Sequence, residues 1–164
     1  SLIGADLLVE TLSQLERQQI QPIAQDDSQA TYAPLIKKPD YALDWSKSAF
    51  ALHNQIRGFY PNCTATFRNQ PLKITATAPL GSAFWSELPA ELQEIQHKLP
   101  DLSTISSNPG VVVSIVKGMG AIAQTGDGLL LLREVQQAGK RPQSGWDFVN
   151  GTRLTVGEAF AGGS

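Results

Sequence analysis

The sequence is poor in the residues from which metal centres, disulfide frameworks and nucleophilic sites are built. Of its 164 residues one is a cysteine, Cys63, which excludes a disulfide framework and a thiolate metal site. Two histidines, His53 and His97, lie far apart and are too few for structural zinc. No apolar run is long enough to span a bilayer, so no membrane partner is expected. The opening "SLIGADLLVETL" carries Asp6 and Glu10 where a secretory signal needs an uninterrupted apolar stretch, and the expected compartment is the cytoplasm. Without such a signal, the glycosylation patterns at Asn62-Cys63-Thr64 and Asn150-Gly151-Thr152 read as coincidence. The chain opens on serine and its single methionine is Met119, so it reads as a piece of a longer protein. A phosphate-loop pattern and a nucleophile elbow are also lacking, and Asp26-Asp27 has neither the glycine nor the glutamate of a calcium loop.

Charged residues make up 17% of the chain, which is ordinary for a globular protein. The net of -2 argues against a uniformly basic nucleic-acid binder, but the distribution says more. Residues 1–31 carry a net of -4, residues 32–78 +4, residues 79–109 -3 and residues 110–156 +2. If the two positive blocks fold together, one face is basic while the whole is acidic.

Periodicity supplies the elements. Residues 4–17 read as an amphipathic helix with Leu8, Leu12 and Leu15 on one face and Leu7 beside it. Residues 20–44 hold three prolines and no period, as an extended linker does. Ser46 or Ser48 caps a second helix whose buried stripe is Ala49, Leu52, Ile56 and Phe59, ended by Gly58 and Pro61. From Thr64 the period becomes two, with a hairpin turn in "RNQP". Residues 86–99 suggest an acidic surface helix with Leu88, Leu92, Ile95 and Leu99 on one face. Strand signals resume in "VVVSIVK", "AIAQT" and "LLLLREVQ", separated by Gly118-Met119-Gly120 and by Gly126-Asp127-Gly128. "SGWDFVNG" is a short helix capped by Ser144 and stopped by Gly151. The expected fold is mainly β: a small five- to six-stranded antiparallel Greek-key barrel, entered through a helix, because closure removes exposed edges.

"ALHNQIRGFYP" places His53, Asn54 and Arg57 close together, as an active site would. On a helix, however, His53 and Asn54 diverge by about 100°, and Arg57 beside His53 depresses its basicity without orienting it. A helix-flank histidine is the better reading. Gly118-Met119-Gly120 has Ala123 where a dinucleotide fingerprint needs its third glycine, and a strand follows, so it reads as a hairpin turn. Gly139-Lys140-Arg141-Pro142 projects two cations from a loop, and Lys37-Lys38 two more from the linker. Each alone is an ordinary solvated pair. Together they flank a barrel that itself carries Arg68, Lys73 and Lys117, a field suited to phosphate-rich RNA.

"SQATYAPLIKKPDYALDWSKSAFALHNQIRGF", "QPLKITA" and "GDGLLLLREVQQAGKRPQSGWDFVNG", in that order, resemble the C-terminal portion of the methionyl-tRNA formyltransferase family. The resemblance implies residues 1–20 as the last helix of a preceding catalytic domain, 21–44 as a basic linker, and 45–164 as an oligonucleotide-binding-like (OB-like) barrel. An acidic helical insertion falls around 79–109. It implies that the formyl group is moved from 10-formyltetrahydrofolate, the co-substrate, to the amino group of methionyl initiator tRNA by the preceding domain. This chain then holds no catalytic, cofactor-binding or metal-binding residue. Its expected partners are the tRNA acceptor arm and that N-terminal catalytic domain, in a monomer. Lys37 and Lys38 match the family's basic linker, and Lys140 and Arg141 its basic pair. Charge and placement add Lys47, Arg57, Arg68, Lys73 and Lys117 as RNA-binding candidates. "FYPNCTA" departs from the family's more usual Pro-Trp-Pro-like turn. Related domains in formyltetrahydrofolate dehydrogenase and sugar formyltransferases, and a structural module without RNA binding, are the alternative parents.

Overall fold

The computed structural model describes residues 2–80, 90–93, 95 and 107–163. By contact it separates into two compact units, Ser1–Leu35 and Ile36–Ser164. The first holds helix α1, Leu2–Glu16, and one 3-10 turn, Asp27–Gln29, capped by Asp26 through a bond from the Ser28 amide. The stripe expected from spacing is present, and Leu7, Leu8, Leu12 and Leu15 are all exposed.

The second unit begins with a 3-10 turn, Lys38–Tyr41, whose approach is fixed by the Lys37 amide donating to the Asp40 carboxylate at 2.6 Å. Helix α2, Ala49–Gly58, is capped by Ser48, which accepts from the Ala51 amide. Ala49, Leu52 and Ile56 are its buried face, as the three-and-four spacing dictates, with Phe59 partly buried beside them. The Tyr60–Pro61 peptide that follows is cis.

Strands β1, Thr64–Phe67, and β2, Gln70–Leu80, form a hairpin whose two-residue turn is Arg68-Asn69. Both turn residues have positive φ, 47° and 62°, the signature of the turn that matches strand twist. The turn is therefore shorter than "RNQP": Gln70 and Pro71 already pair with Phe67 and Thr66. Strands β3, Val112–Val116, β4, Gly120–Gln124, and β5, Leu129–Gln137, form a meander. A short β6, Gln143–Ser144, pairs with β5 and leads into helix α4, Gly145–Thr152, capped by Ser144. The short helix Ala90–Gln93 between β2 and β3 is α3. The chain closes with β7, Phe160–Gly162.

The sheet order is β3-β4-β5-β2-β1-β7, with β2 placed beside β5 as a Greek key requires. The ends of this order meet where Val111 bridges Ala159, with the Val112 amide donating to the Glu158 carbonyl at 2.7 Å. The fold is thus a small mainly β, OB-like curled sheet with flanking helices. β6 and β7 are additions to the strands expected. β7 escapes periodicity because it is three residues long with one buried side chain, Phe160. Nor does Gly151 stop α4; the helix runs through it, and Arg153 takes the left-handed position at φ 51°.

Two apolar clusters sit on opposite faces of the sheet. The interior one joins Leu43, Trp45, Leu52, Ile56, Phe67, Ile74, Leu130, Leu132, Phe148 and Phe160. The other joins Ala78, Leu80, Val116, Ile122, Leu129 and Leu131 with Leu92 and Ile95. The excursion expected as an acidic surface helix therefore buries two side chains on the sheet. Leu88, His97 and Leu99 of that expectation lie outside the described residues.

Candidate nucleic-acid interface

Strand alternation decides which side chains face outward at the β1–β2 end. Ala65, Phe67, Leu72, Ile74 and Val135 are buried, so Thr64, Thr66, Lys73 and Gln136 point the other way. Register then aligns them. Thr64 pairs with Lys73, and Lys73 pairs with Gln136, so the three lie in one row crossing β1, β2 and β5 over roughly 10 Å. The linker joins this row at its first member: Ala42 bridges Thr64, and the Leu43 amide donates to the Thr64 carbonyl. Lys37 and Lys38 open the 3-10 turn that ends at this bridge, and Gln55 of α2 holds the turn by donating to the carbonyls of Asp40 and Ala42.

At the other end of the row, the β5–β6 turn folds beside β2. Gly139 takes φ 71°, and the Lys140 amide donates to the Gln137 carbonyl. Pro71, Lys73, Gln136, Gln137, Ala138 and Gly139 line a cleft of about 240 Å³. A second cleft beside it brings in Phe67, Gln70 and Lys140. Lys140 and Arg141 are exposed on the same turn. Among the described residues, no hydrogen bond or ion pair engages the ammonium of Lys37, Lys38 or Lys73 or the guanidinium of Arg141, so their charge stands unneutralised.

The remaining candidates are dispersed. Lys47 lies against the β4–β5 turn, where its carbonyl accepts from the Gly126 amide. That is the opposite end of β5 from Lys140, roughly 25 Å along the strand. Lys117 is in the β3–β4 turn, and Arg57 is exposed on α2. Arg68 serves the fold: its guanidinium pairs with both Glu158 carboxylate oxygens and donates to the Thr152 carbonyl. It also lies over the Phe67 ring, 4.8 Å from the centroid.

In the second unit two exposed cations escaped the sequence reading, Arg133 on β5 and Arg153 after α4. Strict alternation puts Arg133 on the inward side with Val135. Irregular register between Ala76↔Glu134 and Thr77↔Leu132 inserts it as an extra residue and turns it out. Nothing in the local sequence marks that bulge.

His53 is half-buried, with Nδ1 3.1 Å from the Thr77 hydroxyl. Burial first, and the Arg57 charge second, push its pKa below the usual histidine value. It is a packing group on the α2 flank. Cys63 is fully buried, and its thiol is pushed up to about 11. Among the described residues no group of three or more His, Cys, Asp or Glu side chains could hold a metal ion, and no helix is long and apolar enough to cross a membrane. The row itself presents a hydroxyl, a cation and an amide on one face of the sheet.

Comparison with known proteins agrees with this architecture. The chain is 73% identical over all 164 residues to a methionyl-tRNA formyltransferase of Trichormus variabilis, and 72% identical to one of a Nostoc species. A Gloeothece citriformis protein of the same name is 60% identical over 158 residues. The chain spans about half the length of these relatives, 49%, 48% and 47% respectively. A crystal structure of HypX from Aquifex aeolicus shares the fold at TM-score 0.56 and 13% identity, covering 93% of this chain and 24% of that one. Residues 35–153, the linker's end through α4, match the family described as formyl transferase, C-terminal domain, and the chain belongs to that family.

Proposed function

We propose that this chain is the tRNA-holding C-terminal part of a methionyl-tRNA formyltransferase. In the whole protein, a preceding catalytic domain transfers the formyl group of 10-formyltetrahydrofolate to the amino group of methionyl initiator tRNA at the start of translation. The protein acts in the cytoplasm as a monomer. The chain contributes no catalytic group and binds the acceptor arm through its basic face. The observation that carries this reading is the row Thr64–Lys73–Gln136, with Lys37 and Lys38 at one end and Lys140 and Arg141 at the other. Ammonium and guanidinium groups along one strip suit a phosphate backbone, whose neutralisation dominates affinity.

The test is tRNA binding by the 164-residue chain as a function of salt. Contact with about three to five phosphates gives a slope of log affinity on log salt of roughly -2 to -4. Lys140→Ala with Arg141→Ala lowers affinity and flattens that slope by roughly one to two. Absence of binding at low salt, or a slope the double variant leaves untouched, would falsify the reading.

A further inference from the structure

The turn Lys38–Tyr41 carries an aromatic ring as well as a cation. In a 3-10 turn, side chains three residues apart lie one above the other. Lys38 and Tyr41 therefore share one side of it. Asp40, the acid of the same turn, is drawn back onto the Lys37 amide at 2.6 Å. Tyr41 is pinned from both sides. Gln55 Nε2 donates to the carbonyls of Asp40 and Ala42, the residues before and after it, at 3.0 and 3.1 Å. Its ring meets that of Phe59 with centroids 5.7 Å apart and planes at 81°, and Phe59 packs in turn on the interior cluster. An edge-on neighbour covers at most one face of the Tyr41 ring. Tyr41 stays half-exposed, and its hydroxyl has no hydrogen bond among the described residues. Directly after it, Ala42 bridges Thr64, the first member of the row Thr64–Lys73–Gln136.

A pinned, half-exposed ring beside an unneutralised ammonium, at the head of a cationic row, is a different device from the row itself. Ammonium groups need only phosphate, which the flank of a duplex supplies. A flat ring finds no partner there, because paired bases are stacked on one another. Unpaired RNA bases, in contrast, are taken up by stacking on aromatic side chains, and every base has the π-face this needs. We propose that Tyr41 is the stacking platform for one unpaired base of the bound RNA, with the Lys38 ammonium on a phosphate next to that base. This assignment rests on the RNA reading of the basic face. It gives the ligand a direction: the single-stranded part lies at the linker end, and duplex backbone runs along the row. It also adds recognition of RNA shape to a backbone contact that is blind to sequence.

The probes are a blunt RNA duplex and the same duplex with a single-stranded extension of four adenosines, each titrated with the 164-residue chain. Stacking of one base makes the extended duplex bind about tenfold tighter than the blunt one. Tyr41→Leu keeps an apolar side chain against Phe59 and removes the flat face. It lowers affinity for the extended duplex about tenfold and leaves the blunt duplex and its salt slope unchanged. Tyr41→Phe keeps the parent's affinity for both. In the unaltered chain, 5-iodouridine placed in the extension cross-links to Tyr41 on irradiation, a readout that depends on no variant folding. Equal affinity of the parent for the two duplexes overturns the platform, as do cross-links confined to other residues. A preference that survives Tyr41→Leu, or that Tyr41→Phe also abolishes, overturns it too. An equal loss on both duplexes in Tyr41→Leu marks Tyr41 as structural and overturns it as well. Each of these results leaves the cationic row standing, whereas failure of both duplexes to bind overturns the basic-face reading itself.

Discussion

Arg68 and Glu158 meet fork to fork, Nε to Oε1 at 2.8 Å and Nη2 to Oε2 at 2.9 Å, although 90 positions separate them. The pair ties the β1–β2 turn to the segment before β7, and a third bond from Arg68 to the Thr152 carbonyl adds the end of α4. The Arg68 guanidinium holds the Glu158 carboxyl at about 2, well below its ordinary 4.5, helped by the Thr155 amide. Because the folded value is the lower one, the contribution to stability is complete above the unfolded value. It is lost as pH falls from about 4.5 towards 2. Both groups are partly solvated, so the effect is small. Arg68→Ala is expected to lower the melting midpoint by a few degrees at most at neutral pH, with the difference from the parent shrinking in acid. Its tRNA salt slope is expected to match the parent's, which separates Arg68 from Lys140 and Arg141.

Cys63 gives a prediction of opposite sign. Its thiol donates to the Gln55 carbonyl at 3.4 Å and is buried, and desolvation pushes its pKa from 9.0 to about 11. At neutral pH the folded protein is expected to react with alkylating reagents only on the timescale of unfolding, as the thiolate is the nucleophile. For an acid whose folded pKa is raised, stability is constant below the unfolded value and falls as pH climbs from about 9 to 11. Fast labelling of native protein at pH 7 would refute the burial.

Gly126 is expected to tolerate no side chain. A Cβ there would overlap the Ser46 carbonyl, because the Gly126 amide donates to the carbonyls of both Trp45 and Lys47. Gly126→Ala must push the Asp44–Ser48 turn off the β4–β5 turn, at a cost of about 2 kcal/mol or more in chemical denaturation. Gly118→Ala is the control for space: a Cβ there meets nothing within 4 Å, so only the strain of φ 80° remains. Equal losses at the two sites would refute the close approach.

That contact shows what was legible in the letters and what was not. The Ser46/Ser48 cap and the Gly126-Asp127-Gly128 turn are each legible, yet nothing local says that they touch; the bridge between Ser48 and Asp127 is a tertiary fact. The α2 face was legible because Leu52 and Ile56 obey the helical period, and the β1–β2 hairpin because Ala65 and Phe67 alternate with Thr64 and Thr66. Register across strands was not legible, and the candidate face depends on it: Lys73 matters because it pairs with both Thr64 and Gln136. For the same reason Lys47 and Lys140, both plausible cations in the sequence, fall at opposite ends of β5.

Phe160 carries the last prediction. It is the apolar residue of a strand too short to show a period, yet it is 2% exposed at the centre of the interior cluster. Its ring stacks on Trp45 with centroids 5.7 Å apart, and it lies 5.3 Å from Phe67 and 6.5 Å from Phe148. Its amide and the Gly110 carbonyl help join the two ends of the sheet. The Trp45 indole also reaches this strand, donating to the Ala161 carbonyl at 3.2 Å. Phe160→Ala leaves those backbone bonds possible but removes the ring on which three aromatics converge. The expected loss is about 3–5 kcal/mol, a large part of the stability of a domain this size. Phe160→Leu, which refills much of the volume, is expected to recover more than half of it. If denaturation midpoints of the two variants coincide, the aromatic cluster is not what closes the sheet, and the backbone bonds around the Val111–Ala159 bridge must hold it.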